Sequence, residues 1–428
     1  MTPAAPRGEV VAWGACAVLM NVAYVYGSFV SGEDLFGIDA LRRFGPTVYV
    51  SYAAGIIVAA VLLGASSARV RVERPAAAIL LAAFSLPVFF LLRTSRLNGD
   101  GIMLAPKFEA AIPTVGAYLT HDEMLEFFIH SRFWYYTHNW WGWQVVFSYQ
   151  VASCLAGAAF VYGLVRLAPR VAPGSPWLFL AGSVAGGYMQ LFFGDAENYT
   201  LTAVLVVFYV LAASRFLARE VGLWLPTMVL AVAMCFHLEA GWLLPSLLYL
   251  FAKSHERHGD LREAKTSTAL GATVVAATLV YFHFHGLPLQ RFFSSHAGHA
   301  LRMNGVFAFG MPTHYFAEQF QLLLLLCPSV LILPALAVWR RGERDELTAF
   351  LAVSAGSMLV FQATWRAQLG VYDDWNLFAI GGMLTGLLIW RTVAVAARTR
   401  PLRIAAIWLA GTGWLHTYAW VLANHSKP

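Results

Sequence analysis

The stretch LWLPTMVLAVAMCFHLEAGWLLPSLLYLFAK, residues 223–253, decides how this chain is threaded. Between Leu223 and Lys253 its polar interruptions centre on His237 and Glu239. About 20 helical residues cross the hydrocarbon of a bilayer, so 31 residues make either one long kinked helix or two short ones. Pro226 and Pro245 are compatible with both readings. Charge decides between them. With a break near His237 to Gly241, the loops alternate so that 19 of the 29 Lys and Arg fall on one side, counting Arg391 at a span end. With a single helix every later loop changes sides and that asymmetry is lost, so two spans are expected here.

The rest of the chain follows the same pattern. Of 428 residues 59% are hydrophobic and only 12% charged, against about 25% charged in soluble domains. Apolar runs predict thirteen spans, at 10–30, 48–66, 76–92, 142–165, 177–194, 199–218, 222–237, 238–253, 268–284, 318–338, 346–364, 376–396 and 402–422. The fold class is therefore all-α, a polytopic transmembrane bundle forming one membrane domain. The net charge of +6 comes in short clusters between apolar runs, which excludes a nucleic-acid surface and fits membrane topology. Cys16, Cys154, Cys235 and Cys327 all lie inside apolar runs, with neither a disulfide framework nor metal-ligand spacing. The first run, after Arg7, exceeds the 7–15 residues of a signal-peptide core and reads as a retained span.

Sidedness puts Arg69, Arg71 and Arg74, then Lys253, Arg257, Arg262 and Lys265, then Arg340, Arg341 and Arg344 in the cytoplasm. The N-terminus is cytoplasmic in this reading, the C-terminus exoplasmic, and the membrane is the inner, cytoplasmic one. Although only Lys and Arg set this orientation, 14 of 23 acidic residues and 11 of 13 histidines then fall on the exoplasmic side. The acids cluster at Glu33 and Asp34, at Asp100, at Asp195 and Glu197, at Glu239, and at Asp373 and Asp374.

The longest exoplasmic loop, 93–141, has its own helix signals. Thr120 and Glu123 have capping-box spacing, so a helix is predicted from about Asp122. Leu125, Phe128, Ile129 and Phe133 then recur at helical spacing, the mark of an amphipathic helix on the membrane surface. Trp134, Tyr135, Tyr136, Trp140, Trp141 and Trp143 supply an interfacial aromatic belt. Near the start of the loop, Asp100 sits between Gly99 and Gly101, where the backbone turns sharply and a ligand can approach closely. A solvated turn is the plainer reading of that tripeptide alone.

At these residues the chain resembles the C-type glycosyltransferases, polytopic enzymes that take a sugar from a polyprenyl-phosphate carrier on the exoplasmic side. Gly99-Asp100-Gly101 looks like the family's acidic motif at the start of a large outer loop. Gly194, Asp195, Ala196, Glu197, Asn198 and Tyr199 resemble the Gly-x-x-Glu-x-Tyr turn of bacterial members related to the protein mannosyltransferases. His237, Leu238, Glu239 and Ala240 resemble their His-Leu-x-Ala break, and Asp374 to Ala379 their Asp-Trp-Asp-Leu-Phe-Ala segment. The family motif commonly follows the first span and often has two acids. Here Glu33 and Asp34 in loop 31–47 compete with Asp100 in loop 93–141 for the role of base. Residues 1–75 read as an N-terminal two-span addition, 76–396 as the core and 397–428 as the last span with its tail.

The resemblance implies an inverting transfer with Asp100 as the base. Donor binding is expected at Asp195, Glu197, Tyr199, His237, Glu239, Arg366, Asp373, Asp374 and Trp375. Candidates for the leaving phosphate are Arg96, Lys107, Arg291, Arg302 and Arg366, since guanidinium matches phosphate oxygens. The structural alternatives are an interfacial turn for Asp195 to Tyr199 and, for Arg366, a snorkelling side chain or a pair with Asp373. Glu126 and His130 have i, i+4 spacing and read as a surface pair. A divalent cation, Mg or Mn, is a candidate cofactor without an assigned ligand set. The implied partners are a polyprenyl-phosphate-linked sugar, membrane lipids and a glycan, lipid or protein acceptor. A transporter or flippase of lipid-linked intermediates is the rival reading, against which the acids stand at outer span ends rather than at the midplane.

Overall fold

A computed structural model describes residues 7–32, 35–65, 75–95, 97, 101–102, 122–290, 307–308, 310–333, 336 and 345–425. Helical segments fall on all thirteen expected spans. They are α1 (Arg7–Val25, continued by a π turn Tyr26–Val30), α2 (Gly45–Ala65), α3 (Pro75–Leu91), α5 (Val145–Val171), α6 (Pro176–Ser183), α7 (Thr200–Leu217), α8 (Trp224–Phe236), α9 (Leu244–His258), α10 (Arg262–Phe284), α11 (Thr313–Leu326), α12 (Glu346–Thr364), α13 (Ala379–Ala396) and α14 (Arg400–His425). The surface helix of the long loop is α4 (Met124–Trp141). Seven of these segments are long and apolar enough by themselves to cross a membrane, and the chain is a polytopic helical membrane protein.

The break expected in 223–253 is present. α8 ends at His237, which takes an extended conformation (φ −146°, ψ 128°), and a 3₁₀ segment Leu238–Leu243 leads into α9 with Pro245 in its first turn. Two other spans are broken where continuous helices were expected. Span five is α6 followed by a 3₁₀ segment Gly187–Phe192, and span ten is α11 followed by Pro328–Ile332. Away from water each freed carbonyl needs a donor, and side chains supply several. The Trp414 indole donates to Ala181 O (2.7 Å), the Thr417 hydroxyl to Ala185 O (2.7 Å), the Ser153 hydroxyl to Leu191 O (2.6 Å) and the Tyr188 hydroxyl to Ser183 O. Hydropathy runs through both breaks because the residues there are as apolar as their neighbours.

The bundle is built on α13, the most deeply buried span, which packs on α6 and α12. On one flank α3 packs on α5, α5 on α7, α7 on α8 and α8 on α10; on the other, α1 and α2 both pack on α14. The two N-terminal spans are thus held by the last one. At the α6–α13 crossing Gly182 lies against the Trp390 ring, so closely that an added Cβ would stand 1.8 Å from ring carbon. Gly182→Ala is therefore expected to cost at least about 2 kcal/mol, since neither the backbone nor the buried indole can move aside. A lower thermal unfolding midpoint in detergent checks this.

Loops that the sequence assigns to one side meet at each end of the bundle. At one end Arg170 makes a bidentate pair with Glu220 (2.7 and 2.6 Å), Arg257 reaches Phe216 O, Leu217 O and Glu346, and Arg391 pairs with Asp345 and donates to Val171 O. These bonds link the loops after spans 4, 6, 8, 10 and 12, the loops assigned to one side by counting Lys and Arg. At the other end Thr94 N–H donates to Phe193 O (2.7 Å), and the His425 ring contacts Arg93 O (2.8 Å). Loop three, loop five and the end of α14 therefore meet there.

The surface helix differs from expectation in two ways. It begins at Met124 with Glu123 at the N-cap and no side-chain capping bond, while Thr120 lies outside the described residues. Its buried face is Met124, Glu126, Phe127, His130, Ser131, Trp134 and Thr137. The stripe Leu125, Phe128, Ile129 and Phe133 is partly or largely exposed, as are Trp140 and Trp141. Met124, Phe127 and Trp134 join a buried cluster with Val145, Tyr149, Phe282 and Leu287, against which Leu125 and Phe128 also pack, so the covered face of α4 is mixed rather than purely apolar.

Candidate functional site

Three elements at the exoplasmic end of the expected topology are tied to one another by hydrogen bonds. The turn between the 3₁₀ segment and α7 starts at Gly194, whose φ of +75° is left-handed and whose Cα faces Arg93, where a Cβ would come within 2.7 Å. Only glycine meets both conditions without strain. Glu197 then accepts the backbone N–H of Gly101 (2.9 Å), and Gly101 lies so close to Ala196 O that a Cβ would stand 2.8 Å from it. The Gly-Asp-Gly motif and the Gly-x-x-Glu-x-Tyr turn, 96 residues apart, are in direct contact at Gly101. Asp100 itself lies outside the described residues, as do Arg96, Lys107, Arg291, Arg302, Glu33 and Asp34.

The same turn is fastened to the surface helix. Asn198 donates to Glu123 (2.9 Å) and accepts from the Tyr149 hydroxyl (2.8 Å). Fully buried Glu126 accepts from Leu201 N–H (2.7 Å), Thr202 N–H (3.1 Å), the Thr202 hydroxyl (2.5 Å) and the Thr200 hydroxyl (3.4 Å). It thereby caps the first turn of α7 from another helix, where backbone N–H groups lack partners and the helix dipole favours negative charge. Burial pushes its carboxyl up to about 7, the bonds from Thr202, Leu201 and Thr200 working in the opposite direction. His130, 4.0 Å from Glu126, stacks on Tyr149 (4.2 Å between centroids, 7°). Burial lowers its ring to about 3, so it is neutral at physiological pH. The pair expected on the surface is thus interior, because the face of α4 that carries Glu126 and His130 packs against the bundle.

The 237–243 break joins the same cluster. Leu238 N–H donates to Asp122 O (2.7 Å), and the His237 ring lies 4.7 Å from that of Tyr199 at 37°. His237 Nδ1 accepts Glu239 N–H (3.1 Å), which puts the proton of the neutral ring on Nε2. Both carboxylate oxygens of Glu239 are buried and have no hydrogen-bond partner among the described residues. On the far side of the turn, buried Asp195 has its carboxyl pushed up to about 7 by burial, tempered by Asn376 beside it. That contact is not a full hydrogen bond, since Asp195 Oδ2 and Asn376 Nδ2 are both buried and unpartnered among the described residues.

The remaining expected residues stand on the adjacent 365–374 loop or in the core. Arg366 and Asp373 are half-buried there, with the Tyr315 hydroxyl bonded to Trp365 O (3.0 Å) and Ala367 N–H (2.8 Å) on either side of Arg366. Asp374 accepts Leu369 N–H (2.9 Å) and so braces its own loop. Trp375 is a core residue, 1% exposed and edge-on to Trp420 (5.0 Å), which suits packing better than sugar contact. Among the described residues no three His, Cys, Asp or Glu side chains are grouped to hold a metal ion.

Sequence reasoning missed Glu126, Asn198 and Asn376 as members of this cluster. The i, i+4 spacing of Glu126 and His130 was the available signal for the first. The other two stand inside the Gly-x-x-Glu-x-Tyr turn and the Asp374 to Ala379 segment.

No family model matches the chain, and no curated protein matches it. Among solved structures it is similar to the crystal structure of ArnT from Cupriavidus metallidurans in the apo state, with 12% identity, a TM-score of 0.49, and 81% of this chain and 77% of that one covered.

Proposed function

We propose that this chain is a membrane glycosyltransferase of C-type architecture, moving a hexosyl or pentosyl group from a polyprenyl-phosphate donor to a glycan, lipid or protein acceptor at the exoplasmic face of the inner membrane. The observation that carries this reading is the Gly101–Glu197 bond of 2.9 Å, which seats the acidic motif of the long loop against the Gly-x-x-Glu-x-Tyr turn. Asp100, one residue away, takes the proton of the acceptor hydroxyl. The acceptor oxygen bonds to the anomeric carbon as the bond from that carbon to the phosphate oxygen breaks, with inversion, and polyprenyl phosphate leaves. Arg366, with Arg96, Lys107 and Arg302, neutralises the departing phosphate. Asp195, Glu197, His237 and Glu239 accept or exchange hydrogen bonds with sugar hydroxyls, for which the buried carboxylate oxygens of Asp195 and Glu239 are suited. Tyr199 offers its ring beside His237, and Asp373 stands with Arg366 on the adjacent 365–374 loop.

The test is a transfer assay on the purified protein in liposomes loaded with a polyprenyl-phosphate-linked radiolabelled sugar. Label appearing on acceptor, together with free polyprenyl phosphate, is the expected result. Movement of intact lipid-linked sugar between leaflets without release of polyprenyl phosphate would make the protein a flippase instead.

A further inference from the structure

We infer that Glu126 is the positioning residue that registers the surface helix over the reaction centre, an inference that rests on the transfer reading above. The polar groups at the start of α4 are each bonded to a different part of the candidate site. Asp122 O holds the 237–243 break, Glu123 holds Asn198 of the 194–199 turn, and Glu126 holds the first turn of α7. Glu197 of the 194–199 turn also accepts the Gly101 N–H, so that turn is bonded both to Gly101 and, through Asn198, to Glu123.

Among these anchors Glu126 makes four hydrogen bonds to the start of α7. Its two oxygens accept from two successive backbone N–H groups and two threonine hydroxyls, all belonging to residues three to five positions after Glu197. It is 0% exposed and makes this set of bonds across helices rather than within α4. A glutamine in its place has one acceptor oxygen, and its NH₂ would face donors. That leaves part of the α7 N-terminus without a partner and loosens α4 against the turn. Misplacement of reacting groups by about 1 Å can cost on the order of 100-fold in rate, so a residue with no substrate contact can govern turnover.

The experiment compares wild type, Glu126→Gln, Thr202→Val and the double variant, full-length in nanodiscs, by transfer kinetics with the polyprenyl-phosphate-sugar donor and by hydrogen exchange of the peptide containing Leu201 and Thr202. Glu126→Gln is expected to deprotect those amides and to lower kcat about 10- to 100-fold with donor KM within about twofold. Thr202→Val, which removes one of the four bonds and keeps the Glu126 carboxyl group, is expected to show a smaller fall of the same kind, and the double variant no more than Glu126→Gln alone, because both act on one interaction. Unchanged protection in Glu126→Gln overturns the inference, as does deprotection with unchanged kcat. If Glu126→Gln does not fold, Thr202→Val decides by the same two readouts. A wild type that transfers no sugar sinks the transfer reading and with it the kinetic role, while protection of Leu201 and Thr202 still reports whether Glu126 makes the bonds.

Discussion

Asp100→Asn is expected to lose sugar transfer by about 10²- to 10⁴-fold, the range that a positioned general base contributes, while the protein stays folded. Asparagine keeps the shape and a hydrogen-bonding oxygen but cannot take up the acceptor proton. The neighbouring Gly101 N–H would still be held by Glu197, so donor binding should change little and the loss should fall on kcat. Glu33→Gln and Asp34→Asn serve as the comparison, because they offer the competing base in loop 31–47; each should retain activity within about threefold, as groups outside the proton transfer. A fully active Asp100→Asn would remove this residue from the chemistry, and a collapse in Asp34→Asn would move the base to the first loop.

Asp195→Asn is expected to stabilise the protein while lowering its activity. In the fold Asp195 is buried and its carboxyl is raised from 3.8 to about 7, so between those values the folded state holds a proton that the unfolded chain has released. A raised folded-state value means that the favourable contribution is present below pH 3.8 and is lost as pH rises through about 7. Above that, keeping the carboxylate buried costs on the order of 4 kcal/mol, because each tenfold change in proton affinity corresponds to about 1.4 kcal/mol. Asparagine resembles the protonated acid and never incurs this cost. The variant should thus exceed wild type in thermal stability at about pH 8, and the gap should close as pH falls toward 3.8. Transfer should fall about 10- to 100-fold if a sugar hydroxyl bonds the carboxylate, since bonds to charged groups contribute about 1.5–3 kcal/mol. Stability that rises while activity falls marks a carboxylate retained for its chemistry rather than for the fold. Unfolding scans from about pH 4 to 8 beside transfer rates at about pH 7.5 check both halves, and an active, stabilised variant would free Asp195 of a substrate role.

Much of this architecture is legible in the sequence. Counting Lys and Arg in alternate loops assigns the same face to Arg170, Arg257 and Arg391, and these side chains do meet the loops of that face, at Glu220, at Glu346 and at Asp345. The break at His237 follows from the same count and is present. The motif residues Gly101, Glu197, Tyr199 and His237, spread over more than 130 positions, are brought into one cluster. What could not be read was the inside of that cluster. Leu125, Phe128, Ile129 and Phe133 have a helical period, yet period alone does not say which face of a helix the protein covers, and here the covered face carries Glu126, His130, Ser131 and Thr137 beside Met124, Phe127 and Trp134.

Cost of transfer into lipid is a local property of each residue, additive along the chain, and so apolar length and loop charge by themselves determined that this is a polytopic helical membrane bundle with a break at His237. Hydrogen-bond partners are not local. That Glu126 would close the first turn of α7, that Trp414 and Thr417 would satisfy the carbonyls of a broken span, and that Asn376 would stand beside Asp195 depended on contacts between residues roughly 75 to 230 positions apart, which form only when the helices pack and exclude water from the groups between them.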